Sequence, residues 1–327
     1  MDGLHLVRLH LRLRRRALPA LGFRADHRRL IITAGIERGF LELDFSTIFT
    51  GYVVMRLGLL AQRLRAARDV PERRTAMLRS AVGENAALLG WAVVVFALPG
   101  SWLLPGGLAM AAVELAVPLW AERTAGAPCH PHHTAERYGL FTLIVLGESV
   151  FAATHAVRSE LDAQSGAGGL AVVTVGGLLL VFSMWWVYFA KPGHRFLTSS
   201  REGFVWGYGH YAVYASVAAV GAGLAVSVDH VTRDTGIGAE AAGASVAVPV
   251  ALFLGALWVL HVRPQRPGAL RTLLYPLAAT LVLAAVLTPW PVLTIGLVMT
   301  ALVVATTVLD ARPEGRADPR TGRAPTR

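Results

Sequence analysis

The sequence predicts an all-α membrane protein: a polytopic transmembrane helical bundle of about nine spans, plus a partial span at the N-terminus. The chain of 327 residues is 54% hydrophobic and only 16% charged, whereas a soluble domain is about 45–50% apolar and about 25% charged. The apolar residues are also gathered into blocks of roughly 18–25 residues, the length that a helix needs to cross about 30 Å of hydrocarbon. Blocks this apolar around the whole helix exclude a soluble protein with a large core.

The predicted spans follow one another with short connections. In chain order they cover residues 47–66, 82–99, 102–120, 138–157, 168–190, 203–228, 243–261, 270–288 and 291–309. A basic run from Arg63 to Arg79 ends the first span and precedes the second. The third contains Pro105 and Pro118, which weaken a helix. Thr134 is placed to cap the helix of the fourth.

The basic residues of the connections alternate between the two sides of the membrane. Nineteen Lys and Arg residues fall on one side, and only Arg158 and Arg233 on the other. Because basic residues favour the cytoplasmic side, this asymmetry predicts a cytoplasmic C-terminus. The same distribution argues against nucleic acid as a partner, despite a net charge of +10. The expected partners are the lipid bilayer and an unknown ion or small solute, and a homo-oligomer stays open.

Residues 1–29 do not fit this pattern. The segment contains eight arginines and three histidines but no apolar run of spanning length. A basic cytoplasmic tail, a surface amphipathic helix and a truncated or frame-shifted start are the three interpretations, and the last is preferred. Residues 30–310 are predicted as one transmembrane domain. Residues 311–327 are rich in Arg, Pro and Gly and are predicted to be a disordered cytoplasmic tail.

One long motif indicates a family. Residues 130–149, HPHHTAERYGLFTLIVLGES, closely resemble the signature of the bacterial low temperature requirement A (LtrA) membrane proteins. Residues 51–56, GYVVMR, and residues 185–189, WWVYF, are similar to two further elements of that family. The resemblance runs from about residue 31 to about residue 310 and implies a multi-pass membrane protein linked to growth in the cold. The acidic-aromatic motif that opens the family has no counterpart in residues 1–30.

Glu148 lies near the middle of the predicted span 138–157. A carboxylate at that depth is costly unless it is protonated, paired or in contact with water. At about 100° per residue, Arg137, Glu148 and His155 share one helix face and form a polar stripe. Two interpretations stay open: an ion, proton or solute path centred on a buried Glu148, and a structural carboxylate that holds helices together.

Further candidates lie in other spans. Arg56 either pairs with a buried acid or extends along the helix to the membrane surface, and the second is the simpler explanation. Glu114 lies deep in its span. Trp206, His210 and Tyr214 form one stripe at i, i+4 and i+8. That stripe either lines a substrate cavity or packs at the membrane interface, and the aromatic run of residues 185–189 is typical of an interfacial belt.

No cofactor, catalytic residue or metal site is predicted. His130, His132 and His133 are weak metal candidates, because their spacing matches no zinc-site pattern. Glu136 is explained by its place near the positive end of a helix dipole. The chain contains no Walker A loop, dinucleotide fingerprint or other catalytic motif of that kind.

These observations leave three hypotheses of different classes. The leading one is a non-enzymatic transporter or channel-like conduit, which predicts that Glu148 lines a cavity. The second is a membrane enzyme acting on lipid, with a cleft at the cytoplasmic interface formed by His132, His133, Glu136 and Arg137. The third is a structural membrane protein without chemistry, in which Glu148 is enclosed beside a hydrogen-bonding partner.

Overall fold

The computed structural model describes residues 31–123, 131–162, 167–190, 193, 197, 199–232, 236–265 and 268–311. These residues form helices and short connections, with no strand among them. The chain divides into two compact units, Met1–Ala127 and Pro128–Arg327, which are called the first and the second unit below. The predicted N-terminal segment and tail lie outside the described residues, apart from Ala311, which ends the last helix.

The first unit contains four described helices: α1 (Ile36–Leu41), α2 (Ser46–Asp69), α3 (Arg74–Phe96) and α4 (Leu103–Ala121). The Asp44 carboxylate accepts a hydrogen bond at 3.0 Å from the amide of Ser46, the first residue of α2. Helix α3 packs against both α2 and α4. One charged side chain on α3 can therefore meet partners from two neighbouring helices.

The second unit contains six described helices: α5 (Pro131–Asp162), α6 (Ala167–Phe189), α7 (Ser200–Thr232), α8 (Ala239–Leu257), α9 (Ala269–Ala284) and α10 (Pro291–Ala311). Helix α7 packs against α5 and α8, α6 packs against α10, and α9 contacts α8 and α10. Their shared core is apolar and closed. Its largest fully buried side chains include Leu180, Met184, Val213, Phe253, Ile295 and Met299.

The helices fit the predicted spans in type but only partly in number. Six stretches of the described chain are long and apolar enough to cross a membrane: Gly100–Ala121, Gly168–Phe189, Arg201–Thr232, Ala239–Gln265, Ala269–Leu287 and Pro291–Ala311. The predicted spans 47–66, 82–99 and 138–157 coincide with α2, α3 and α5, which carry more charged residues. The all-α membrane fold is confirmed, and the count of nine spans is not.

Candidate functional site

A chain of alternating charges connects the three long helices of the first unit. Arg56 and Arg63 are seven residues apart on α2, so they lie on one face, about 10 Å apart along the axis. Arg56 donates to Glu114 of α4, and its Nη1 lies 3.5 Å from Oε2 of Glu84 on α3. Arg63 binds the same Glu84 carboxylate through two nitrogens, one of them Nε at 2.9 Å. We call this series, Glu114–Arg56–Glu84–Arg63, the charged ladder.

Tyr52 extends the charged ladder by one hydroxyl. Its ring lies one helical turn from Arg56, whose guanidinium carbon is 4.8 Å from the ring centroid. Arg56 Nε donates to the Tyr52 hydroxyl at 2.9 Å, and that hydroxyl donates to Oε1 of Glu114. The tyrosine therefore links the arginine and the acid a second time, and it fixes the position of both.

The charged ladder is enclosed between the helices. The side chains of Arg56 and Glu84 are only 12% and 10% exposed. The prediction that Arg56 extends to the membrane surface is wrong, because Glu84 and Glu114 lie within reach on neighbouring helices. Removing charges from water is costly, and here two cations and two anions compensate one another.

A cavity of about 590 Å³ adjoins the Glu114 end of the charged ladder. This volume is within the range of about 300–1,000 Å³ that small-molecule pockets occupy. Three of the lining residues carry polar groups, namely Tyr52, Trp91 and Glu114, and the others are apolar or glycine. The charged ladder thus has one end that a small molecule can reach.

A second polar cluster lies inside the second unit, around the predicted stripe on α7. His210 is completely buried. Its Nδ1 is 2.7 Å from the Trp206 carbonyl oxygen, and its Nε2 is 2.9 Å from the Tyr188 hydroxyl. Because a carbonyl can only accept, Nδ1 donates to Trp206, and Nε2 pairs with the Tyr188 hydroxyl, which donates when that nitrogen carries no proton. Both ring nitrogens of His210 therefore have a partner.

A π-helical turn brings a second histidine into this cluster. Helix α8 continues into the π turn Trp258–Val262, and the ring of His261 lies 5.4 Å from that of Tyr188 and 6.3 Å from that of His210. Such turns are rare in proteins, and those that occur are often found at functional sites. Tyr138 of α5 completes the group, with its ring 4.9 Å from His210 and its carbonyl accepting from Tyr214 at 3.2 Å.

The three residues of the predicted stripe pack within the second unit. Trp206 and His210 are enclosed in the core, and Tyr214 is half-buried against Tyr138. Tyr188 also faces inward, so the prediction of an interfacial belt is wrong for this residue, although Trp185 and Trp186 are exposed. Sequence reasoning missed His261, since a π turn changes which residues of a helix share a face.

The Tyr188→Phe variant is expected to lower the free energy of unfolding by about 1–3 kcal/mol, because Nε2 of His210 is left buried without its hydrogen-bond partner. The matched control is Tyr211→Phe, whose ring is 63% exposed and whose effect is expected within about 0.5 kcal/mol. Unfolding in mixed detergent micelles, followed by circular dichroism, measures both. Equal stability of the two variants would show that the hydrogen bond between Tyr188 and His210 does not stabilise the fold.

Glu148 is exposed at the surface of the second unit, so its predicted burial is not confirmed. The buried face of α5 carries Thr142, Leu146 and Ser149. Ser149 donates to the Val217 carbonyl of α7 at 2.9 Å. Glu148, one residue earlier, is rotated by about 100° away from that contact.

The other predicted residues of this region lie on α5 or just before it. Arg137 and Glu136 are exposed on α5. His155 lies on α5, but its side chain is outside the described residues, as is the whole of His130. His132 and His133 are exposed, and His133 Nδ1 lies 3.8 Å from a Glu136 carboxylate oxygen.

Metal binding therefore stays without structural support in the described part of the chain. Within that part, no group of three or more His, Cys, Asp or Glu side chains is placed to hold an ion.

Comparison with known proteins gives one result. The family model described as "Bacterial low temperature requirement A protein (LtrA)" matches residues 29–308, which is most of the chain. Neither the curated proteins nor the solved structures contain a match. The matched range includes the charged ladder, the cavity and the polar cluster around His210.

Proposed function

The chain belongs to the bacterial low temperature requirement A (LtrA) family, and we propose that it is a membrane transporter or channel-like conduit for an ion or a small solute. The observation that carries this proposal is the charged ladder. Ionisable groups inside membrane helices are rare and are concentrated along ion and substrate pathways. Packing alone does not require two arginines and two glutamates between the three helices α2, α3 and α4.

The pairing within the charged ladder fits a pathway for ions better than a role in holding the helices together. Arg56 contacts two acids, and Glu84 contacts two arginines. A cation or proton that reaches Glu114 can displace Arg56 toward Glu84, and one net positive charge is then shared by Arg56 and Arg63 until the ion moves on. Helices that only adhere in a membrane use small residues and close packing instead. The cavity beside Glu114 supplies the access that such an exchange needs.

The sequence predicted a path centred on Glu148, whereas this proposal centres the path on the charged ladder. Glu148 is exposed, and no side chain of the described residues is placed to hold a transported ion beside it. The hypothesis of an enzyme at the lipid headgroups stays open and is less favoured than the conduit. A charged ladder that serves only as structural support is the alternative that experiment must exclude.

The proposed topology has nine crossings and a cytoplasmic C-terminus in the bacterial inner membrane. Helices α2, α3 and α5 would cross in addition to the six apolar stretches, with the charged ladder enclosed between α2, α3 and α4. The distribution of Lys and Arg in the connections supports this orientation. In it, the cavity lies toward the extracytoplasmic side and Arg63 toward the cytoplasm.

Reporter fusions test this topology. A fluorescent protein at the C-terminus is expected to fluoresce, and alkaline phosphatase at the same position is expected to be inactive, because that enzyme folds only outside the cytoplasm. Alkaline phosphatase fused after Gly100, in the connection between α3 and α4, is expected to be active. An active enzyme at the C-terminus would overturn the orientation.

Flux into proteoliposomes tests the proposed activity. Vesicles that contain the purified chain are compared with protein-free vesicles for protons, alkali cations and a panel of small organic solutes. We expect at least one solute to cross faster with the protein present. If both sets of vesicles are equally tight to every solute, the conduit is excluded and the structural role of the charged ladder remains.

A further inference from the structure

We propose that the cavity of the first unit binds a membrane-soluble amphipathic molecule with an apolar body and a neutral hydroxyl head group. The cavity, defined above by its three polar residues Tyr52, Trp91 and Glu114, is large enough for such a molecule at about 590 Å³. This inference concerns the occupant of the cavity and stands whether or not the chain conducts a solute.

The walls of the cavity match an apolar body. Phe45, Phe49 and Val94 lie along it. Phe40, Leu104 and Leu108 also line it and are 82%, 72% and 64% exposed. An apolar wall that continues into exposed apolar side chains is open to molecules dissolved in lipid, and it gives no hydrogen bonds to a water-soluble ligand.

Glu114 offers one unused acceptor at the polar end. Its Oε1 accepts from both Tyr52 and Arg56. Its Oε2 meets no donor among the residues that the structure describes. The Tyr52 hydroxyl is already engaged, since it donates to Glu114 and accepts from Arg56. A ligand with an O–H or N–H donor can therefore bind Glu114 without displacing an existing partner.

Trp91 presents its ring to the same cavity. Its indole nitrogen is closed off from the cavity, because that atom is buried inside the described chain. The polar end of the cavity therefore offers one acceptor, Oε2 of Glu114, which matches the O–H donor of a hydroxyl group.

The charges around the cavity favour a neutral head group over an ionic one. Glu114 is compensated by Arg56, so a cationic ligand would compete with an arginine already in place. A carboxylate ligand would face the Glu114 carboxylate directly. An ion without a partner is far more costly in an apolar cavity than a neutral hydroxyl. The structure therefore points to an alcohol.

Photo-crosslinking of the purified full-length chain in phospholipid nanodiscs tests this inference. The probe is dodecanol with a diazirine on its alkyl chain, and labelled peptides are identified by mass spectrometry. We expect labels within residues 39–52 and 91–108. Dodecanol is expected to displace the probe at a concentration about tenfold lower than dodecyl methyl ether, which lacks the donor for Glu114. Dodecane, dodecanoate and dodecylammonium are expected to be weaker competitors than dodecanol.

One variant with a matched control locates the site. A Cβ at Gly107 would meet only the Trp91 ring, at 3.8 and 3.9 Å, so Gly107→Leu fills the cavity without a backbone clash and is expected to abolish labelling. Gly255→Leu is its control, because open space surrounds that position.

Each other outcome overturns the inference. Equal displacement by dodecane and dodecanol would show a groove for ordinary lipid chains with no head-group recognition. Labelling that persists in Gly107→Leu would place the probe elsewhere. Absence of labelling in the wild-type chain would show that the cavity takes no such ligand, whether or not the flux experiment succeeds.

Discussion

The Glu84→Leu variant is expected to lower the free energy of unfolding by about 3–5 kcal/mol, the usual cost of removing one partner from a buried ion pair. Glu84 is the only acid in the described chain that contacts two arginines of the charged ladder. Its loss leaves Arg63 without its carboxylate, while Arg56 keeps only Glu114. Unfolding in mixed detergent micelles, followed by circular dichroism, measures the change.

Glu148→Leu is the matched control for this variant. It removes the same charge from an exposed position, so its effect is expected within about 0.5 kcal/mol. The double variant Arg63→Leu with Glu84→Leu sharpens the test, because it removes one cation and one anion together. It is expected to be more stable than Glu84→Leu alone. Equal losses from Glu84→Leu and Glu148→Leu would contradict the enclosed position of the charged ladder.

The Gly176→Ala variant is expected to have the second large effect, a loss of about 1–3 kcal/mol or more. Helices α6 and α10 cross at Gly176 and Gly296. A Cβ at Gly176 would lie 2.6 Å from the backbone N and Cα of Leu293, and one at Gly296 would lie 2.5 Å from the Gly176 carbonyl oxygen. Backbone atoms cannot rotate away as a flexible side chain can, so the two helices must separate.

Gly255→Ala provides the comparison for this crossing. Position 255 is also helical, and an added Cβ meets nothing within 4 Å. Alanine has the higher helix propensity, so this variant is expected to be unchanged or more stable by up to about 1 kcal/mol. The same unfolding measurement applies to both. If Gly176→Ala is as stable as Gly255→Ala, the close approach of α6 and α10 is wrong.

The fold class could be predicted because membrane helices need long apolar blocks. Spans 203–228 and 291–309 lie within α7 and α10. The number of spans could not be settled in the same way. Helices α2, α3 and α5 mix apolar residues with charges, and a charge is tolerated at membrane depth only when a partner lies nearby. Composition does not reveal that partner.

Composition does not reveal the partners of a charge, and this also explains which candidate residues the sequence could identify. The cost of a buried charge drew attention to Arg56 and Glu114, and the structure pairs them. The contribution of Tyr52 depends on how α2 and α4 approach, which no local pattern encodes. For Glu148, the helical wheel gave the residues that share its face. It could not give the face of α5 that packs against α7, where Ser149 makes the contact.

The most direct measurement compares flux through Glu114→Gln and Glu148→Gln in proteoliposomes, using the solute that wild-type vesicles conduct fastest. If the charged ladder is the path, Glu114→Gln lowers the rate to about a tenth or less, a barrier increase of about 1.4 kcal/mol or more. Glu148→Gln then conducts at nearly the wild-type rate. The opposite pattern, with Glu114→Gln fully active and Glu148→Gln inactive, would contradict a path through the first unit.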